Sequence, residues 1–208
     1  MALTQWLTFL GISFLVIATP GQDTALTVRN ALRGRKAGVF TALGVVTGQL
    51  VWTFAASTGV TAILVASEPA FRALKLAGAI YLVYLGAVSI WGGLRRSAKP
   101  DERTQSRGLP MALAYRQGLV SNLGNPKVAV FFTSLLPQFA GRGTGSFGQM
   151  VLLGAIFATM TLAWLTAYAF VIDKAGEFIR RSPVRRTLDV VMGSVLIAFG
   201  WRLARASR

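Results

Sequence analysis

Apolar runs separated by short basic gaps dominate the 208-residue chain. Stretches with few or no charges, read against a bilayer-crossing length of roughly 20 residues, predict six membrane spans. Span one covers about Leu3 to Leu26, and span two lies within Ala37 to Ser67. Span three covers about Ala73 to Leu94 and span four about Tyr115 to Ala140. Span five lies within Gly143 to Ile172, and span six covers about Leu188 to Leu203. The apolar N-terminus lacks a basic leader region and runs on into further membrane segments, so Leu3 onward reads as an uncleaved first span.

Two spans carry a break. Thr19-Pro20-Gly21-Gln22-Asp23 interrupts span one, and Asn125-Pro126-Lys127 interrupts span four. Thr19 and Asn125 are both N-cap types followed by proline, the order that starts a helix. A helix that stops and restarts at membrane depth bares backbone polar groups, which are tolerated only against protein or a polar cavity. Each break also brings a charge, so the pair predicts a solute site.

Charge fixes the expected topology. The chain has 22 Lys and Arg against 7 Asp and Glu, a net charge of +15. Of the 22 basic residues, 15 fall in three gaps. Arg29, Arg33, Arg35 and Lys36 form the first, Arg95 to Arg116 the second, and Lys174 to Arg186 the third. With six spans these gaps lie on one side, which the positive-inside rule makes the cytoplasm, with both termini outside. That accounts for the charge better than nucleic-acid binding does, although Arg202, Arg205 and Arg208 in the tail run against it. The five tryptophans lie mostly toward span ends and read as interface anchors.

The halves look alike. Pro20 and Pro126 stand 106 residues apart, and the same offset carries Gly48 onto Gly154. Three spans per half would insert the second half inverted, the plan of secondary transporters that bind substrate near the interface of their repeats. The expected fold is therefore an all-α integral membrane protein with about six transmembrane helices. It forms two inverted three-helix repeats with helices 1 and 4 broken. The whole of residues 1–208 makes one membrane transport domain: repeat one about 1–94, a polar cytoplasmic linker about 95–110, and repeat two about 111–208. Rocking of the two halves would give alternating access.

The candidate site consists of Pro20, Gly21, Gln22, Asp23, Gln49, Asn125, Pro126 and Lys127. Asp23 is either a proton carrier or ammonium ligand, or an acidic first-turn residue complementing the helix dipole. Lys127 is placed to bind an anion beside a helix start, or else snorkels to the interface. Together they would complement a zwitterion, or pair with each other when the site is empty. Gln49 offers an amide to a cavity or to a neighbouring helix. Gly44-Val45-Val46-Thr47-Gly48 allows close helix approach. Pro137 reads as the end of span four, and Asp189 as an interfacial partner of Arg185 and Arg186 or, alternatively, as a gating residue.

With no Cys and no His, the chain offers no disulfide, no zinc site of the usual kind and no cofactor-binding motif. It lacks a P-loop, so ATP hydrolysis of that kind is excluded. Few carboxylates and no His make an enzyme a distant reading.

Pro20-Gly21-Gln22-Asp23, Asn125-Pro126-Lys127, Leu136-Pro137-Gln138-Phe139, and Leu76 to Leu82 with Leu85-Gly86 together resemble the LysE/RhtB amino-acid exporters. The resemblance covers nearly the whole chain in the right order. It implies export of amino acids or close derivatives across the bacterial inner membrane by proton antiport, with Asp23, Asn125 and Lys127 as site residues. One departure stands out: the family's usual second proline is Gln22 here. The partners implied are a zwitterionic small molecule, protons and the lipid bilayer, with no nucleic acid. A homodimer through glycine-lined faces is compatible with the sequence. The competing reading is a non-transporting accessory or assembly protein whose breaks are structural kinks.

Overall fold

The computed structural model describes residues 3–59, 68–94, 109–140, 146–174 and 182–205. Among these residues every regular element is helical. Span one is α1 (Leu3–Ala18) and α2 (Gln22–Ala31), bent by 56° at the Pro20 break. Span two is α3 (Arg35–Ser57) and span three is α4 (Glu68–Leu94). Span four opens as α5 (Met111–Leu123), breaks, and resumes as α6 (Pro126–Val130). A π-helical turn at Phe131–Leu135 then leads into α7 (Leu136–Phe139). Pro137 accounts for that turn, because its ring crowds the carbonyl four residues earlier and it donates no hydrogen bond. Spans five and six are α8 (Ser146–Lys174) and α9 (Ser182–Arg205).

By length and apolar composition, α3 and α8 qualify as membrane crossings, and α1 with α2 qualify jointly. The spans α4 and α6–α7 contribute shorter apolar stretches, Ala79–Gly92 and Lys127–Phe139. Large apolar side chains such as Leu7, Phe14, Val51, Ile80, Leu152 and Val171 face outward. Outward apolar surface on a helix bundle whose centre holds Asp23, Arg29, Asn30 and Gln49 is the reverse of a water-soluble arrangement.

Close approach between helices depends on glycine at a few positions. A Cβ at Gly44 would land on the Tyr115 carbonyl, and one at Gly118 on the Thr41 carbonyl, so α3 and α5 touch backbone to backbone. A Cβ at Gly86 would lie 2.5 Å from the Gly193 carbonyl oxygen, and one at Gly193 would lie 2.7 Å from that of Gly86. Ile197 meets Gly86 as Ile90 meets Gly193. This α4–α9 contact is reciprocal, and its two sides are 107 positions apart in sequence. These glycines face helices of their own chain.

The helices of the two sequence halves interleave. α4 packs most extensively on α9, and α3 on α5 and α8, while α2 touches both groups. The packing between helices therefore runs chiefly across the boundary between the two halves. Leu26 of α2 packs with Leu82, Leu85 and Leu196. On the other side, Phe9, Ile17, Trp52, Phe131, Phe132 and Phe157 form an aromatic-rich core in which Phe131 stacks on Phe157 at 4.2 Å. Trp52 is buried in this core, whereas Trp91 and Trp201 are exposed.

The basic ends cluster together. Arg35 at the start of α3 bonds Asp173 at the end of α8 at 3.4 Å. α3 and α8 are antiparallel, since Gly38 meets Ala169 while Gly154 meets Thr53. α5 begins beside the same end, because Gly118 meets Thr41 and Gly48 meets Asn122. Most of the linker expected at about 95–110 lies outside the described residues; Leu109 and Pro110 lead directly into α5.

Candidate functional site

The two breaks meet at the centre of the bundle and complete each other. The end of α1 and the end of α5 each leave carbonyls without a helical donor. Lys127, at the start of α6, sends its Nζ across to the Val16 and Thr19 carbonyls, 2.9 Å each. Gln22, at the start of α2, sends its Nε2 to the Ser121 carbonyl. Thus each restarting helix supplies the side chain that closes the other interrupted helix. Gly21 leaves the lysine room to cross, since a Cβ there would stand 3.2 Å from Nζ.

Asp23 lies between the breaks. Its Oδ1 accepts from Ser121 Oγ at 2.9 Å, and its Oδ2 accepts from Asn122 Nδ2 at 2.9 Å and Asn125 Nδ2 at 2.8 Å. Three donors around one buried carboxylate replace the water it lacks. Asn125 also performs the expected capping role, its Oδ1 accepting from the Lys127 backbone N–H at 3.1 Å. Thr19 does not: its hydroxyl donates back to the Leu15 carbonyl, and Gly21 occupies the N-cap position of α2. Pro20 is exposed at the bend, and of Pro126 only the backbone is described.

A cavity of about 30 Å³ opens beside this crossing, lined on its polar side by Asp23, Thr24, Gln49, Lys127 and Thr161. Val16, Ile17, Val128, Phe157 and Leu165 line the rest. That volume holds one or two waters, well short of the several hundred Å³ of an ordinary ligand pocket. The site is therefore narrow in this conformation. Asp23 and Lys127 line the same cavity yet make no ion-pair contact with each other. Gln49 joins the same cavity, with its Nε2 donating to Thr161 Oγ1 at 3.2 Å. All the residues expected at the site thus gather at one place, with Pro20 and Pro126 setting the breaks.

A second polar network lies two turns along α2. Asn30 Nδ2 donates to Thr41 Oγ1 and to Gln117 Oε1, both at 2.9 Å. Arg29 beside it is only 1% exposed, although its charge places it among loop residues in the sequence. Its guanidinium bonds Asn30 Oδ1 at 3.4 Å and lies in the field of Asp189, itself buried at 4%. Asp189 is therefore buried within the bundle; the side chain of Arg185, one of its expected partners, lies outside the described residues. Ser121, Asn122, Thr24, Thr161 and the Asn30 network were not singled out from the sequence. The available signal was their polar character inside apolar runs, above all in Ser121-Asn122, immediately before the second break.

Comparison with known proteins decides the family. The model of the LysE type translocator family matches residues 7–207. The chain belongs to that family. It is 29% identical to the uncharacterized membrane protein YrhP of Bacillus subtilis, over 93% of this chain and 95% of that protein. It is 27% identical to the homoserine/homoserine lactone efflux protein of Salmonella typhimurium, over 99% and 98% respectively. It is likewise 27% identical to the leucine efflux protein of that organism, over 97% and 95%. No solved structure matches. As a LysE translocator the protein is a multi-pass membrane transporter, not an enzyme.

Proposed function

We propose that this translocator exports an amino acid or close derivative from the cytoplasm across the bacterial inner membrane in exchange for protons. One observation carries the reading: a buried carboxylate and an ammonium line one cavity without contacting each other. A zwitterion inserted there meets the opposite charge at each end. The efflux names of the relatives agree with this chemistry.

In this reading Asp23 carries the exchanged proton or draws the substrate's ammonium. Lys127 and the backbone N–H groups after Pro126 draw the carboxylate. Substrate entry requires the cavity to widen, and Lys127 and Gln22 then shift with the helix ends they hold. The reciprocal Gly86–Gly193 contact and the crossed capping of the two breaks support an inverted-repeat arrangement. Interleaved packing favours movement of the α4–α9 pair against α3, α5 and α8, with α2 between them. Grouping of Arg35 and Asp173 supports a common cytoplasmic side for the basic loops.

The accessory-protein reading has its own observation, that Asp23 and Lys127 both already hold hydrogen-bond partners. Efflux from proteoliposomes of the purified protein separates the two. Amino-acid movement driven by a proton gradient supports export, and its absence in folded protein supports the accessory role.

A further inference from the structure

Resting on the export reading above, we propose that the Gln49 side-chain oxygen is the acceptor for the substrate's ammonium group. It thereby makes the site selective for α-amino acids with uncharged, apolar side chains.

The orientation of the Gln49 amide follows from its neighbour. Thr161 has one hydroxyl hydrogen, which it donates to the Phe157 carbonyl at 2.9 Å. Toward Gln49 it can only accept, so the amide nitrogen faces Thr161 and the oxygen faces away. That oxygen is buried in a residue 2% exposed and has no partner. A buried acceptor without a donor is costly, and native structures keep few of them, commonly at functional sites. Gln49 is also a residue of the cavity wall, along with Asp23 and Lys127.

Asp23 is less available for direct contact. Both of its oxygens already accept from Ser121, Asn122 and Asn125. Its charge attracts a cation, but among the described side chains that line the cavity the buried acceptor oxygen holding no bond is that of Gln49. Asn122 Oδ1, also without a partner, is not on the wall. The walls add a second restriction. One carboxylate faces one ammonium, so the cavity carries no surplus charge to match a charged side chain. Ile17, Val128, Phe157 and Leu165 offer apolar surface for the remainder of the substrate.

The test is counterflow in proteoliposomes with leucine, its 2-hydroxy acid analogue and lysine as probes. An ammonium bonded to Gln49 makes wild type prefer leucine over the hydroxy acid by about ten- to a hundredfold. Gln49→Leu brings that ratio below about threefold, whereas Gln49→Glu, which keeps an acceptor oxygen, preserves it. If Gln49→Leu fails to fold, Gln49→Met of near-equal volume takes its place. An unchanged ratio in the Leu or Met variant overturns the proposal and leaves export standing. So does loss of the ratio in Gln49→Glu, or wild type moving lysine as readily as leucine. A wild type that moves no amino acid overturns export itself, and this proposal with it.

Discussion

Asn125 donates to the Asp23 carboxylate 102 residues away in the chain, at 2.8 Å, and so joins the two helix breaks. The same side chain caps α6 through its oxygen. Asn125 therefore uses both ends of its amide, one to start a helix and one to hold a buried charge. Aspartate at this position would keep the cap but lose the donor, and would set a second carboxylate against Asp23. Asn125→Asp is expected to abolish transport and lower stability by about 2 kcal/mol or more, from the lost charge-assisted bond and the new repulsion. Thermal unfolding in detergent, read beside efflux, checks both.

Lys127 acts as a bridge as well as a charge. Its Nζ holds two carbonyls at the end of α1, a helix terminus that favours a cation. Lys127→Met retains the stem but leaves those carbonyls without their donor, and should cost about 1–3 kcal/mol in addition to abolishing efflux. Lys127→Arg should recover most of the stability, since it still donates, but not full transport, because its broader head group crowds Gly21. A variant in which lysine loss reduces neither stability nor efflux would contradict both roles.

The α4–α9 contact gives a prediction independent of the site. Alanine at Gly86 would press its Cβ against the Gly193 backbone, whereas at Gly11 nothing lies within 4 Å. Gly86→Ala should destabilise the protein by about 1–3 kcal/mol. Gly11→Ala should leave it unchanged or slightly more stable, since alanine favours helix. Equal unfolding temperatures for the two variants would show that α4 and α9 are not packed this closely.

Much of this arrangement was legible in the sequence, and the remainder was hidden for physical reasons. Proline after a capping residue, inside an apolar run, marked both breaks, and the charges at Asp23 and Lys127 marked them as a site. What the chain could not display was how the breaks cross. Gln22 and Lys127 each cap the helix that ends at the other break, a relationship that exists only once the two breaks are brought together. Ser121 and Asn122 lie in a run whose polarity is explained equally well by a helix end. Charge alone groups Arg29 with Arg33, Arg35 and Lys36, yet α2 continues to Ala31 and carries it into the interior. Thr19 has a capping side chain, but the preceding turn claims its hydroxyl first.

Topology is open to a clean test because the chain contains no cysteine. Lys36 and Lys174 are exposed at the end of the bundle where Arg35 meets Asp173, and Thr58 is exposed at the other end of α3. Single variants Lys36→Cys and Lys174→Cys should react with a membrane-impermeant maleimide only from the cytoplasmic side, and Thr58→Cys only from outside. Labelling of the two lysine positions from opposite sides would break the common-face arrangement of the basic ends.

The cavity between the two breaks is the proposed place where a zwitterion is held. Its most direct measurement is proton-gradient-driven counterflow of amino acids by wild type and by Asp23→Asn in matched proteoliposomes. Wild type should accumulate at least one neutral amino acid, and Asp23→Asn, folded and inserted in equal amount, should lose that movement by a hundredfold or more, about 3 kcal/mol. Equal transport by the two proteins would remove Asp23 from the mechanism and contradict the site described for this family member.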